Sequence, residues 1–288
     1  MTNATTRPAA QGTVDVDSPY ELGADAERVF DDQGFIRLGN VLSPATIRHY
    51  EPELTGKVIE LNTLHLPMEE RSTYQKAFLQ VTNLWRHSEV VRQLVFSRRL
   101  ARVAAELMGV DGVRLYHDQA LYKETGGGIT PWHADQYYWP FSTDRCCTAW
   151  IPLQETPAEM GPLGFAVGSH RFEFGRDLEI SDESESKLQE AIGREGFEVS
   201  VTPYALGDVS FHQGWTFHRA NPNHTDIPRR VMTIIYLDAD MRVADPKNDN
   251  QAGDLASWMP GAGPGDVPDT PLNPILYHAG SGASTTED

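Results

Sequence analysis

Between Val113 and Asp238 the chain is a succession of short apolar, β-branched and aromatic runs, and this feature constrains the fold most. The runs VRLYHDQALYK, TPWHADQYYW, CCTAWIPL, GPLGFAVG, FEVSVTPY, GDVSFHQGWTFH and RRVMTIIYLD read as strands. Turn-forming stretches (ETGGG, TPAEMGP, ALGD, NPNHTDIP) separate most of them. Many short strands bury their apolar faces by closing into a barrel or packing as a double sheet. An antiparallel barrel or jelly roll is therefore expected as the main body. One charged stretch, RDLEISDESESKLQEAIGREG, interrupts the series; it carries a helical pattern from Lys187 and reads as a mobile surface insertion over 176–196.

Ahead of the strands the pattern is helical. SPYELGADAERVFDDQGF reads as a helix with Ser18 as N-cap and Gly34 as its stop, followed by a strand in FIRLGNVL. Ser43 and Pro44 are an N-cap and N1 pair that opens another helix. HSEVVRQLVFSRRLARVAAELMG is the longest helical pattern, with Val90, Val91, Leu94, Val95, Leu100, Val103 and Leu107 apolar and Gly109 at its end. Residues 1–18 show no periodicity and read as a disordered arm. The last stretch is rich in Pro, Gly and Asp, but Leu272, Ile275, Leu276 and Tyr277 give it a means of docking. The expected organisation is an arm (1–18) and a single domain (19–288). That domain has a helical part (19–110), a jelly-roll core (111–240) and a docked tail (241–288), making the fold class α+β and mainly β.

The net charge of −17 argues against nucleic acid and anionic membranes as partners, because phosphate binding needs a basic surface. The two cysteines, Cys146 and Cys147, are adjacent, and neighbours in a strand point to opposite faces, so no bridge between them is expected. There is no C-x-x-C zinc spacing, no signal-peptide pattern at the N-terminus and no apolar run of membrane-spanning length. A soluble, cytoplasmic protein acting on a small molecule is expected.

The candidate chemistry begins in TPWHADQYYWP. Read as a strand, it places His133 and Asp135 on one face, about 7 Å apart along the chain. Imidazole nitrogen and carboxylate oxygen suit a divalent metal; two histidines and one carboxylate form the facial triad of non-haem Fe(II) oxygenases. A His-x-Asp pair alone is more often structural, so a second histidine is needed. FHQGWTFHRANPN offers both His212 and His218. Arg229 and Arg230 then open the apolar run VMTIIYL. An arginine entering a buried strand calls for an anionic partner; a dicarboxylate ligand is one reading and a plain rim salt bridge the other.

Taken together, TPWHAD, CCTAWIPL, MGPLGFAVGSHR, GDVSFHQGWTFHRANPN and the RR pair resemble the phytanoyl-CoA dioxygenase family of Fe(II)/2-oxoglutarate oxygenases, over about Phe30 to Tyr277. The resemblance implies a double-stranded β-helix, a jelly-roll variant of the cupin-like barrel, with Fe(II), 2-oxoglutarate and O₂ as reactants. It implies His133, Asp135 and His218 as ligands and Arg229 as the anchor of 2-oxoglutarate. His212 becomes a strand residue, and Thr148, Trp150 and Gln119 line the co-substrate pocket. Ala134 stands where many members have Gln, which leaves that co-substrate contact to another residue. Asp135 is present where related halogenases have Ala or Gly, which points to oxygenation.

The aromatic run beside the ligands reads either as core packing or as a substrate wall. Parity with His133 favours Tyr137 and Trp139 for a wall, with Tyr116, His117 and Trp215 as further candidates. His170 reads as structural and His224 as solvated. The expected substrate is a secondary metabolite such as a polyketide, modified by hydroxylation, cyclisation or epimerisation. An acyl-CoA or amino-acid-derived substrate is the alternative within the family, and a non-catalytic metal-binding cupin-like sensor the alternative outside it. A zinc hydrolase would need a general base beside the metal water, and no H-E-x-x-H or G-x-S-x-G pattern is present.

Overall fold

The strands pair antiparallel into two sheets that enclose the site between them. The computed structural model describes residues 13–280. The larger sheet runs β1 (Phe35–Leu38), β8 (Val209–Gln213), β5 (Cys146–Pro152), β10 (Val231–Asp238), β3 (Gly112–Tyr122) and β11 (Ile275–His278), with β2 (Leu79–Thr82) also paired to β3. The smaller sheet runs β4 (Thr130–His133), β9 (His218–Ala220), β6 (Leu163–Ala166) and β7 (Val199–Val201). Helices α1 (Ala26–Gln33), α2 (Pro44–Leu61), α3 (Thr73–Ala77), α4 (Glu89–Val95) and α5 (Arg98–Met108) precede β3; α6 (Asp182–Glu195) and α7 (Asp249–Trp258) come later. The double-stranded β-helix with flanking N-terminal helices is thus as expected.

The larger sheet is covered on both faces, which is why β5 and β10 are apolar almost throughout. Alternation sorts the two faces. Cys147, Ala149, Ile151, Phe211, Met232, Ile234 and Tyr236 pack outward in one core with Leu94, Leu100, Val103 and Leu107 of α4 and α5. The other parity faces the barrel interior, where the register aligns two rows across the strands. One is Gln119, Thr233, Trp150 and Ser210; the other is His117, Ile235, Thr148 and His212. Cys146 and Cys147 fall into different cores and both are free, as their adjacency in a strand requires.

Several boundaries differ from the sequence reading. The first helix starts at Ala26, not after Ser18, because Ser18 and Tyr20 are engaged in tertiary bonds: Ser18 O accepts Arg99 Nε at 2.6 Å and Tyr20 Oη donates to Gly39 O at 3.0 Å. The long helix is two helices. Ser97 breaks it and caps α5, accepting from Leu100 N at 3.1 Å while its hydroxyl donates to Val16 O. The same contact corrects the expected arm: residues 13–18 are docked, with Val16 buried and Asp15 paired to Arg99 at 2.5 Å, while 1–12 lie outside the described residues.

The insertion is docked too. Its helix begins at Asp182 rather than Lys187, and Leu188 and Ile192 are buried with Trp132 and Phe217. The run GDVSFHQGWTFH is two strands in different sheets; the chain crosses between them at Gly214, where a Cβ would come within 2.8 Å of Cys146 Sγ. The tail docks as expected, β11 pairing with β3 and Asn273 Nδ2 donating to Leu115 O at 3.1 Å. No helix among the described residues is long and apolar enough to cross a membrane.

Ser97→Ala removes a cap and the tie to Val16. It should destabilise the fold by about 1–2 kcal/mol, seen as a lower urea midpoint, and Ser97→Thr should restore most of the loss.

Candidate metal centre

Backbone pairing builds the centre first. His133 ends β4, His218 begins β9, and the two sit directly opposite each other in register with ring centroids 4.1 Å apart. Asp135 does not continue the strand, as parity assumed. A 3-10 turn over Asp135–Tyr138 takes over after Ala134 and swings the carboxylate back toward the imidazoles. Asp135 Oδ1 lies 3.6 Å from Nε2 of both His133 and His218, and one ligand atom from each residue falls within 4.8 Å of the others.

The remaining polar atoms fix the orientation of these three. His133 Nδ1 is 2.7 Å from Pro131 O and His218 Nδ1 is 2.9 Å from Thr216 O. A carbonyl only accepts, so each Nδ1 carries the proton and each Nε2 presents a lone pair to the centre. Asp135 Oδ2 is taken by Thr148 Oγ1, which donates at 3.1 Å, and by His212 Nε2 at 3.2 Å, leaving Oδ1 for the centre. Burial opposes ionisation of Asp135, but the surrounding imidazoles, His218 first, outweigh it and hold the carboxyl well below the usual carboxylate range. Burial, then His133, holds His218 well below the usual histidine range, so it is neutral near pH 7. Two neutral imidazoles and one carboxylate are the donor set of a facial-triad Fe(II) site, and the residues present fit it.

The same cavity, about 230 Å³, reaches Arg229. Arg229 is fully enclosed just ahead of β10; one guanidinium nitrogen donates to Gly161 O at 2.6 Å and another, Nε, has no partner. The guanidinium carbon lies 5.4 Å from the Trp150 ring centre, and no carboxylate pairs with Arg229 among the described residues. Gly161 has φ +71° and a Cβ there would meet Asn221 O at 2.2 Å, so the carbonyl that seats Arg229 depends on glycine. Directly opposite, Lys123 exchanges both backbone hydrogen bonds with Arg229, at 2.9 and 2.8 Å. Its ammonium reaches Gly128 O and, at 3.3 Å, Thr130 Oγ1. Burial, then the neighbouring Arg229, pushes the Lys123 ammonium down to about 6. Arg230 instead turns outward to Glu51 and Gln154.

Of the residues expected around the cavity, Thr148, Trp150, Gln119, His117 and Trp139 line it. Three do not. Tyr137 turns toward α7, its carbonyl accepting from Gln251 Nε2 at 3.0 Å; the 3-10 turn replaces strand parity and puts Tyr138 on the cavity instead. Tyr116 is the extra residue at a β-bulge in β3, and its ring is buried against Trp139 and Phe141. Trp215 lies beneath Arg176 and donates to Asp144 at 3.0 Å. Sequence reasoning missed His212, Lys123, Tyr138, Asp254 and Trp258. The first had been set aside as a strand residue, although it shares its cavity-facing row with Thr148. The last two come from the tail, where their spacing of one helical turn was the available signal.

His212 touches the carboxylate and not the centre itself. His212→Ala should therefore weaken Mn(II) or Fe(II) binding by about ten- to a hundredfold without abolishing it, in a metal titration followed by calorimetry.

Comparison with known proteins identifies the family and the fold. A family profile described as phytanoyl-CoA dioxygenase (PhyH) matches residues 30–231. A probable alpha-ketoglutarate-dependent hypophosphite dioxygenase of Stutzerimonas stutzeri is 24% identical over 233 residues, 75% of this chain and 79% of that one. Among solved structures, the non-heme alpha-ketoglutarate-dependent carbocyclase SnoK from nogalamycin biosynthesis superposes with TM-score 0.73 at 23% identity, covering 90% of this chain and 100% of that one. The epimerase SnoN, crystallised with Fe3+, alpha-ketoglutarate and nogalamycin RO, gives TM-score 0.72 at 24% identity over 88% of this chain and 99% of that one. The two structures share the double-stranded β-helix fold, and the profile covers most of the chain: it belongs to the phytanoyl-CoA dioxygenase family and is an Fe(II)/2-oxoglutarate-dependent dioxygenase.

Proposed function

We propose that this dioxygenase oxidises an unactivated C–H bond of a small aromatic or polycyclic secondary metabolite, with His133, Asp135 and His218 holding Fe(II) and Arg229 receiving the distal carboxylate of 2-oxoglutarate. The observation that carries the reading is an enclosed guanidinium without a carboxylate partner, opening on the same cavity as the three ligand atoms. A buried arginine in that state is stabilised by a bidentate carboxylate, which 2-oxoglutarate supplies. When bound, Fe(II) and 2-oxoglutarate supply the oxidising power that breaks the C–H bond. The chain's own residues do the positioning. Thr148 and His212 keep the Asp135 carboxylate aimed, the Pro131 and Thr216 carbonyls keep both Nε2 atoms aimed, and Trp150 forms a flat wall beside the guanidinium.

The substrate class rests on the rest of the lining. Tyr74, Phe78, Tyr138, Trp139 and Trp258 make that side of the cavity aromatic. Arg229 is the only Lys or Arg on it among the described residues, and burial pushes His117 down to about 4, so it is neutral. Phosphate-bearing substrates such as acyl-CoA meet no cation there beyond the one assigned to the co-substrate. The named carbocyclase and epimerase support a tailoring role, in which hydroxylation, cyclisation and epimerisation differ only by where the substrate radical sits.

Anaerobic Fe(II) protein should develop a visible charge-transfer band at about 500 nm on adding 2-oxoglutarate. Its absence in the wild-type protein would favour the cupin-like sensor. Asp135→Ala should lose the band and all hydroxylation, and Arg229→Met should raise the 2-oxoglutarate Kd by about a hundredfold.

A pH dependence follows from Lys123. Only Arg229 among charged groups acts on it appreciably, and Glu124 beside it is committed to Arg71. In the free enzyme Lys123 is mostly unprotonated above about 6; a carboxylate arriving at Arg229 favours the ammonium and raises its pKa. Binding near pH 7.5 should then take up protons, and affinity should fall as pH rises. Calorimetry of 2-oxoglutarate binding to the Mn(II)-loaded protein, in buffers of different ionisation enthalpy, measures the uptake; Lys123→Met should abolish it.

A further inference from the structure

The cavity is electrically lopsided. At one end stand Arg229 and, behind it, Lys123, both claimed by the co-substrate under the reading above. In the middle, Asp135 is claimed by the metal site. At the other end one carboxylate remains: Asp254 on α7, which lines the cavity together with Trp258 one helical turn later. Tyr116 Oη donates to Asp254 Oδ2 at 3.1 Å, and no Lys, Arg or His pairs with Asp254 among the described residues. The groups facing it are Tyr116, Trp258 and Tyr74, with the His117 ring tilted against Trp258 at 5.0 Å between ring centres. None of these is a cation near neutral pH.

A partly buried carboxylate with no counter-ion is destabilising until a positive group arrives. The described residues offer no cation on that side, so the complementary group is one that the substrate brings. The lining suits the same guest: Trp258, Trp139, Tyr138 and Tyr74 all border the cavity, and aromatic rings attract a cation. We propose that Asp254 is the anchor for a positively charged nitrogen, so that the substrates of this enzyme are aromatic or polycyclic molecules carrying a basic amine. The proposal rests on the reading of the cavity as the oxygenase substrate site and narrows it. The amine is held at the α7 end, and the C–H bond to be broken lies on the part of the molecule that extends back toward His133 and His218. Burial pushes Asp254 up to about 6, which leaves it ionised at the pH where an aliphatic amine is protonated.

The simpler role for Asp254 is to tie α7 to the barrel through Tyr116, and the test separates the two. Naphthylmethylamine, naphthylmethanol and naphthoate serve as cationic, neutral and anionic probes of one shape. Each is titrated calorimetrically into the full-length protein loaded with Mn(II) and 2-oxoglutarate. The amine should bind at least about tenfold more tightly than the alcohol, and naphthoate most weakly. Asp254→Asn should reduce the amine preference to less than about twofold, whereas Tyr116→Phe, which removes the tie but keeps the carboxylate, should retain it. Equal affinity of amine and alcohol in the wild-type protein overturns the proposal, as does a preference that survives in Asp254→Asn. If Asp254→Asn fails to fold, the wild-type comparison still decides. The oxygenase reading fails separately, through absence of 2-oxoglutarate binding in the loading step.

Discussion

A carboxylate held ionised inside a β-barrel is the constraint on which the rest of this structure depends. Asp135 is largely enclosed, its side chain open only to the cavity, and an isolated buried carboxylate would take up a proton. Hydrogen bonds from Thr148 and His212 oppose that, and the carboxylate faces the Nε2 atoms of His133 and His218 across a site suited to a cation; the four come from different places in the sheets: His133 from β4, Thr148 from β5, His212 from β8 and His218 from β9. The register that sets Thr148 opposite His212, and His133 opposite His218, is therefore an electrostatic device as well as a packing one. A slip of one residue in either pair would turn these side chains to the wrong face and leave the carboxylate without support.

The same logic of uncompensated charge organises the cavity. Most buried ions in proteins carry their partner with them. Here Arg229 at one end and Asp254 at the other do not, and on the proposed reading the imbalance describes the molecules that complete it. On that reading, stability given up at these positions is recovered on binding, and each end of the cavity selects by charge.

Much of the barrel was legible because strand patterning and turn chemistry are local. The double-sheet architecture, the Ser43 and Gly34 caps and the docking of the tail follow from side chains a few positions apart. The metal ligands were legible only as a constellation, since His133 and Asp135 become informative beside His218 and Arg229. What escaped was set by tertiary contacts. Nothing local shows that Ser97 is recruited by Val16 and divides a helix that otherwise reads as continuous. Nothing local shows that the chain leaves strand geometry after Ala134, which turned Tyr137 away and brought Tyr138 in. Lys123 reads as an ordinary strand-end lysine until its partner across the bridge is known to be Arg229.

The helix α6 has a consequence for how this enzyme could diversify. Glu185 accepts the backbone N–H of Trp132 at 2.8 Å and pairs with Arg219 at 2.8 Å, and Gln189 accepts from the side chains of both. Trp132 precedes one candidate ligand and Arg219 follows the other, so this surface helix is the outer bracket of the two strands that carry the histidines. A segment that looks free to vary is thereby bound to the geometry of the centre. Exchange of its sequence between relatives would be felt as a change in metal geometry before any change in substrate range. The freer ground for acquiring new substrates is the part of the rim where α3, β2 and α7 supply side chains to the cavity and none of the ligands.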